Sequence, residues 1–265
     1  MRRACLAPGL VAALPGTLLA ALLAALLATL LTASVARAVD CEALTHAGNR
    51  YTVCTVDPAR EELRLFLRAP GGEVFGDFAA LDAALSVRGE RLAFAMNGGM
   101  YHDDRAPVGH YIEEGREAMR VIAAPGPGNF GLLPNGILCI EAARARVIET
   151  RDYLEQRPAC RFATQSGPML VIDGALHPRF LEDSSSRYVR NGVGTSADGS
   201  RAVFAISETA VTFHEFASLF REALGLPDAL FLDGNVSRLH APALGRSDSG
   251  RRMGPIVGVT EPLGG

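Results

Sequence analysis

The chain has 265 residues, with 26 Lys+Arg against 29 Asp+Glu, a formal charge of −3, no tryptophan and, read along its length, no lysine. This mild acidity, without any basic patch interleaved with aromatics, speaks against a nucleic-acid partner. The scarcity of aromatic residues, 6% of the chain, also removes the stacking surface of a typical long-glycan-binding module.

Arg2 and Arg3 open the chain, Leu18 to Leu31 is an unbroken Ala/Leu/Thr stretch, and Ala36-Arg37-Ala38 puts small residues where a signal peptidase reads. Residues 1–38 are therefore expected to be a signal peptide, with an apolar core too short for a membrane span. Residues 39–265 are expected to form one domain, periplasmic or secreted, with no stable membrane anchor after cleavage. Loss of Arg2, Arg3 and Arg37 takes the formal charge from −3 to about −6. Cys5 leaves with the leader, so Cys41, Cys54, Cys139 and Cys160 remain in an oxidising compartment. Cys41–Cys54 and Cys139–Cys160 is the expected pairing, because each closes a short loop between neighbouring predicted strands. Neither pair has a spacing that suits structural zinc.

Tyr51–Val56 and Leu63–Arg68 read as strands separated by Asp57-Pro58. Phe78 to Val87 carries Leu81, Ala84 and Leu85 at helical spacing, with Gly89 as its terminator. Leu92–Met96 is a buried strand ending in Asn97-Gly98-Gly99-Met100-Tyr101. Short strands are expected at 108–112, 120–123, 129–133 and 136–140, the last paired with 145–149. Met169–Asp173 ends in the hairpin turn Asp173-Gly174. A strand beginning at Arg190-Asn191-Gly192 turns at Asp198-Gly199 and returns as Ala202–Ile206. Phe213, Phe216, Ala217, Phe220 and Leu224 form one stripe of a helix over 213–224. Ala229–Leu232 is apolar without periodicity, as in a strand buried on both faces, and Met253–Val259 closes the sheet. Many short strands, two helices and no regular strand–helix alternation predict an α+β fold, with mixed or antiparallel sheets and a few packed helices.

Four segments share one grammar, a polar residue beside glycine at the edge of a buried strand: Asn97-Gly98-Gly99, Gln165-Ser166-Gly167, Arg190-Asn191-Gly192 and Asp233-Gly234. Taken singly, each is a turn, and Asp233 is an ordinary cap for one. Together they offer amide, hydroxyl, guanidinium and carboxylate groups suited to a polyhydroxylated or anionic small molecule. No nucleophile elbow, phosphate loop or dinucleotide fingerprint is present, so no cofactor is expected. His102-Asp103-Asp104 reads as exposed loop charge rather than a metal site.

In this order, Asn97-Gly98-Gly99, Asn129-Phe130-Gly131, Ser166-Gly167 with Asp173-Gly174, Arg190 with Gly194, and Asp233-Gly234 with Ser237 resemble the phosphodiester glycosidase family. The resemblance runs from about Leu92 to Val259. It departs where Asn235-Val236 stands before Ser237, a place where a characterised member has a longer glycine run. The resemblance implies hydrolysis of a sugar-1-phosphodiester at its glycosidic bond. On that reading Asp233 is the catalytic carboxylate, Glu208 the second carboxylate with Glu113 behind it, and Arg190 the neutraliser of the departing phosphate. Asn97, Gly98, Asn129, Gln165, Ser166, Asn191, Gly234 and Ser237 complete the substrate-binding set, and no metal is assigned. The partner is then a small sugar phosphodiester or envelope glycan. The alternative is a noncatalytic envelope protein that binds a sugar phosphate or peptidoglycan fragment.

Overall fold

The computed structural model describes residues 39–264, so the expected signal peptide lies outside the described residues. The described chain opens as a hairpin, β1 (Asp40–His46) and β2 (Asn49–Val56), followed by β3 (Glu62–Phe66). Helix α1 (Phe78–Ser86) starts at Asp77, whose carboxylate accepts the Ala80 N–H at 2.8 Å, and leads into β4 (Glu90–Asn97). Next come β5 (Tyr111–Glu113), β6 (Arg116–Met119), β7 (Gly136–Ile140), β8 (Ala145–Glu149) and helix α2 (Thr150–Gln156). Strands β9 (Phe162–Ser166), β10 (Met169–Ile172) and β11 (Ala175–Leu176) precede a long loop. After it, β12 (Asn191–Thr195) and β13 (Ala202–Ser207) pair as a hairpin, and α3 (Phe213–Ser218) runs through a π-helical turn, Leu219–Ala223, into β14 (Asp228–Phe231). Three strands finish the chain: β15 (Leu239–Ala241), β16 (Arg246–Ser247) and β17 (Ile256–Pro262).

The strands form three antiparallel sheets, ordered β1-β2-β13-β12-β14-β10-β11, β16-β15-β4-β17-β3 and β6-β5-β9-β7-β8. Period-two alternation sorts their side chains. Phe94 and Met96 of β4, Leu138 of β7, Phe204 of β13 and Leu230 of β14 all enter one central core shared by the three sheets. Their neighbours face outward, and each sheet is backed by a helix. Ala229 and Phe231 meet Phe216 and Phe220 behind the first sheet. Ala95 and Ile256 meet Phe78, Leu81 and Leu85 of α1. Ile137 and Ile148 meet Tyr153 of α2. Burial on both faces accounts for the unbroken apolar run in β14. The architecture is a single α+β domain, with antiparallel pairing throughout the described residues. Among those residues no helix is long and apolar enough to cross a membrane.

Several expected elements shift. No strand forms at 120–123 or 129–133; the latter is a turn, with Leu132 N–H donating to Asn129 O and the Asn135 amide to Phe130 O. Helix 213–224 divides, because Leu224 N–H bonds Leu219 O, one residue beyond an α-turn, which keeps Phe216, Leu219 and Phe220 all in the core. Strand β1 and helix α2 carry too few apolar positions to announce themselves. The Asp173-Gly174 turn forms as expected, with Ile172 opposite Ala175 and φ of 47° and 78° at the two turn residues, the left-handed pair of a tight hairpin.

Both expected disulfides form. Cys41 lies directly across from Cys54 in the first hairpin, and Cys139 of β7 is joined to Cys160 just before β9. A cross-link over 21 residues restricts the unfolded chain, so Cys139→Ser with Cys160→Ser is expected to lower unfolding free energy by about 3 kcal/mol. An unchanged urea midpoint contradicts a structural role for that bond.

Candidate active site

Strand β4 ends at Asn97 in one sheet and β12 begins at Asn191 in another. Their side chains meet in the interior, with Asn191 Nδ2 donating to Asn97 Oδ1 at 2.9 Å and Asn97 Nδ2 to Asn191 Oδ1 at 3.4 Å. Neither has measurable exposure. The two amides also secure the loop that follows β14. Asn191 Oδ1 accepts the Asp233 N–H at 3.2 Å and the Ser237 hydroxyl at 3.3 Å, while Asn97 Oδ1 accepts the Arg238 N–H at 2.9 Å. The Asp233 carbonyl receives Asn97 Nδ2 at 3.3 Å and the Ser237 hydroxyl at 3.2 Å. Half-buried Asp233 is thus fixed through its backbone at the point where the two sheets meet.

The third sheet reaches the same place. The Ser166 hydroxyl donates to the carbonyl of Leu232, the residue before Asp233. Gly99 N–H donates to the Thr164 hydroxyl at 3.2 Å, and a side chain at Gly99 would collide with the Gln165 carbonyl. Gly98 N–H bonds Pro255 O at 2.7 Å. All four glycine-flanked junctions therefore converge.

The remaining expected residues are placed differently. The Gln165 amide is fully engaged by the protein: Oε1 accepts the His110 and Ile122 N–H groups, and Nε2 donates to Ile122 O and the Thr150 hydroxyl. Asn129 is exposed on a loop whose carbonyls pack over Gly167. Glu208 accepts from the Thr52 hydroxyl at 2.6 Å and pairs with Arg246 at 2.7 Å, so its carboxylate is engaged by the protein. Glu113 accepts the Tyr111 hydroxyl at 2.7 Å, and burial raises its carboxyl pKa.

Arg190, 1% exposed, has no ion-pair partner among the described residues. Its Nε donates to Val211 O at 2.9 Å and its Nη2 to Ser186 O at 3.0 Å. The guanidinium carbon lies 3.6 Å from the centroid of the Phe213 ring, with Tyr188 at 5.5 Å and Phe231 at 5.6 Å. Phe180 and His177 continue the stack behind Phe213. Burial pushes the Arg190 pKa down to about 10, which still leaves it charged at neutral pH. Aromatic faces offset part of the desolvation cost of such a cation, by up to roughly 2 kcal/mol. A side chain at Gly234 would press on the Phe231 ring at 2.9 Å, so the Asp233 loop and the arginine cage are in contact.

Sequence reasoning passed over the Phe213, Phe231 and Tyr188 cage, and over Tyr101 and Arg238. Both of the latter stand in segments noted for other reasons, the glycine run after β4 and the stretch after Asp233. Nothing local distinguishes them, because their environment comes from distant loops. Burial first, then the Asp233 charge, raises the Tyr101 phenol above its usual pKa.

A half-buried carboxylate on a loop that touches the aromatic cage of a buried guanidinium, the latter without a carboxylate partner among the described residues, makes up the candidate site, and its groups suit an anionic small molecule. The chain belongs to the phosphodiester glycosidase family, whose profile matches residues 90–259. It is 34% identical over 203 residues to the uncharacterised protein YigE of Escherichia coli strain K12, covering 77% of this chain and 78% of that one. Its fold is similar to the catalytic domain of zebrafish N-acetylglucosamine-1-phosphodiester alpha-N-acetylglucosaminidase (TM-score 0.58, 13% identity, 85% of this chain and 84% of that one). A hypothetical protein from Synechocystis is also similar in fold, with a TM-score of 0.56 and 14% identity over 83% of this chain; the match spans 61% of the cyanobacterial chain.

If the amide pair holds the site together, Asn97→Ala leaves the Arg238 N–H and the Asn191 amide buried without their partner. A loss of about 2–4 kcal/mol in unfolding free energy is expected from denaturant titration. A loss below about 0.5 kcal/mol, the scale of a surface substitution, contradicts that role.

Proposed function

We propose that this protein is an exported hydrolase that cleaves the glycosidic bond of a sugar-1-phosphodiester, releasing the sugar and a phosphomonoester. One observation carries the reading. Asp233 is tethered through its N–H to Asn191, the residue next to Arg190, and Arg190 is a buried cation without a carboxylate partner among the described residues. Family membership and the fold it shares with the zebrafish enzyme support the glycosidase class. The two disulfides support export.

In this reading Asp233 stabilises or attacks the oxocarbenium-like anomeric carbon as its bond to the phosphate oxygen breaks. Water adds at that carbon, and the phosphate leaves with the bonding electron pair. A phosphate is a stable leaving anion, so charge neutralisation by Arg190 takes the place of a strong proton donor. Asn97 and Asn191 act as positioning residues beneath the carboxylate, Gly98, Gly234, Ser166 and Ser237 flank it, and Gln165 and Asn129 serve the framework around it. The ion pair that occupies Glu208 favours a mechanism with Asp233 as its sole reacting carboxylate.

The test is release of a chromogenic phenyl phosphate from its sugar-1-phosphodiester. Asp233→Asn is expected to lower kcat by roughly a thousandfold with ligand binding retained, and Glu208→Gln by less than about tenfold. Comparable losses in both restore Glu208 as the second catalytic carboxylate. Binding without turnover in the wild type leaves a noncatalytic envelope protein that holds a sugar phosphate or peptidoglycan fragment. A separate outcome is expected for Arg190→Met, which removes a buried charge that no carboxylate balances. Stability should change by less than about 1 kcal/mol while kcat/KM falls about a hundredfold. A large stability loss together with normal kinetics makes Arg190 a structural residue.

A further inference from the structure

A second group of guanidiniums lies on the Asn97 side of Asp233, brought there by three separate segments. Tyr101 is their common neighbour. It stands two residues beyond Gly99, its hydroxyl donates to the Arg252 carbonyl at 3.3 Å, and a side chain at Gly254 would strike its ring at 2.5 Å. Arg105, on the following loop, holds its guanidinium carbon 5.3 Å from the centroid of that ring. Arg238 is fixed by its N–H on Asn97 Oδ1, and its Nη1 donates to the Arg251 carbonyl. Gly250 lies so close to the Arg238 guanidinium that a Cβ there would collide with it. Tyr101 and Arg238 thus bind adjacent carbonyls, and Arg105, Arg238 and Arg251 each oppose the rise in the Tyr101 pKa that burial and then Asp233 cause.

Some arginines elsewhere are paired, Arg64 with Glu62 and Glu90, Arg161 with Glu114, Arg187 with Glu215, and Arg246 with Glu208 and Asp248, while others such as Arg68 and Arg201 donate to backbone carbonyls. Arg105, Arg238 and Arg251 have no ion pair among the described residues, in a chain with 29 carboxylates to 26 basic side chains. Arg238 is only 8% exposed, so its charge carries a desolvation penalty that a carboxylate or a ligand would offset. A phosphodiester bears one negative charge, which Arg190 already balances. Beside the exposed Asp103 and Asp104 of the Arg105 loop, Arg238 stays buried with no carboxylate on its guanidinium among the described residues.

We propose that Arg105, Arg238 and Arg251 form a second anion subsite, so that the ligand of this site is a sugar phosphodiester bearing a further anionic group, a carboxylate or phosphate. The inference rests on the glycosidase reading for the identity of the reacting centre. The extra charge sits on the sugar or on the group esterified to the phosphate, where these guanidiniums attract it most strongly at low ionic strength.

The experiment compares kcat/KM of residues 39–265 on three nitrophenyl phosphodiesters: one of a neutral sugar, one of its uronic acid counterpart, and one of the neutral sugar with a carboxylate on the aryl ring. One charged compound is expected to exceed the neutral one by about tenfold, the worth of one charge-assisted hydrogen bond. Which compound does so locates the charge. Arg251→Gln and Arg105→Gln, both away from the interior, are each expected to bring that ratio towards one. Equal kcat/KM on all three compounds overturns the proposal, as does a preference that survives both substitutions. If no compound is turned over, the glycosidase reading fails, and calorimetric titration with inorganic pyrophosphate then tests the subsite by itself. Binding weakened about tenfold in the double variant sustains it. No binding in the wild type, or equal binding in both proteins, overturns it.

Discussion

The structure depends on the buried contact between the side chains of Asn97 and Asn191. Two sheets open at the same point without strand pairing across the gap, and the chain after β14 must cross it. Its N–H and carbonyl groups would otherwise be buried without partners, at about 1–3 kcal/mol each. Asparagine brings a donor and an acceptor on one short side chain, and two of them facing each other satisfy Asp233, Ser237 and Arg238 together. The position of the carboxylate follows from this, and so does the place of Arg190, which immediately precedes Asn191.

The charge distribution runs against the composition. An acidic protein pairs several of its arginines with carboxylates, yet around Asp233 it leaves guanidiniums that form no ion pair among the described residues. Arg190 is held by aromatic faces and two backbone carbonyls instead. Such a residue adds little to stability, since a buried cation without a counter-charge is a cost that packing only partly offsets. Its presence is easier to understand if an anion completes it, and natural sites commonly give up stability for function in this manner.

Much of this was legible from residues alone, for identifiable reasons. The run Ala229–Leu232 signals a doubly buried strand because both faces of β14 meet apolar cores. Asp173-Gly174 signals its turn because that backbone requires left-handed residues. The four polar–glycine junctions signal convergence because glycine is needed where backbones approach, as at Gly99 against Gln165. What stayed hidden depends on partners remote in the chain. Gln165 looks like a ligand-binding amide until His110, Ile122 and Thr150 are seen to engage it. Glu208 looks available until Arg246 is seen beside it, and Tyr101 looks ordinary until Arg105 is seen over its ring and the Arg252 carbonyl at its hydroxyl. Helix α2 escaped because seven mostly polar residues carry no apolar stripe.

In the proposed reaction the reacting atom is the anomeric carbon opposite Asp233, and the phosphate departs intact. Hydrolysis of a sugar-1-phosphodiester in isotopically labelled water tests it most directly, with mass analysis of both products. Cleavage at carbon puts the solvent oxygen in the sugar hydroxyl and leaves the phosphomonoester unlabelled. Label in the phosphate, with a sugar phosphate as the other product, would mean cleavage at phosphorus and would contradict it.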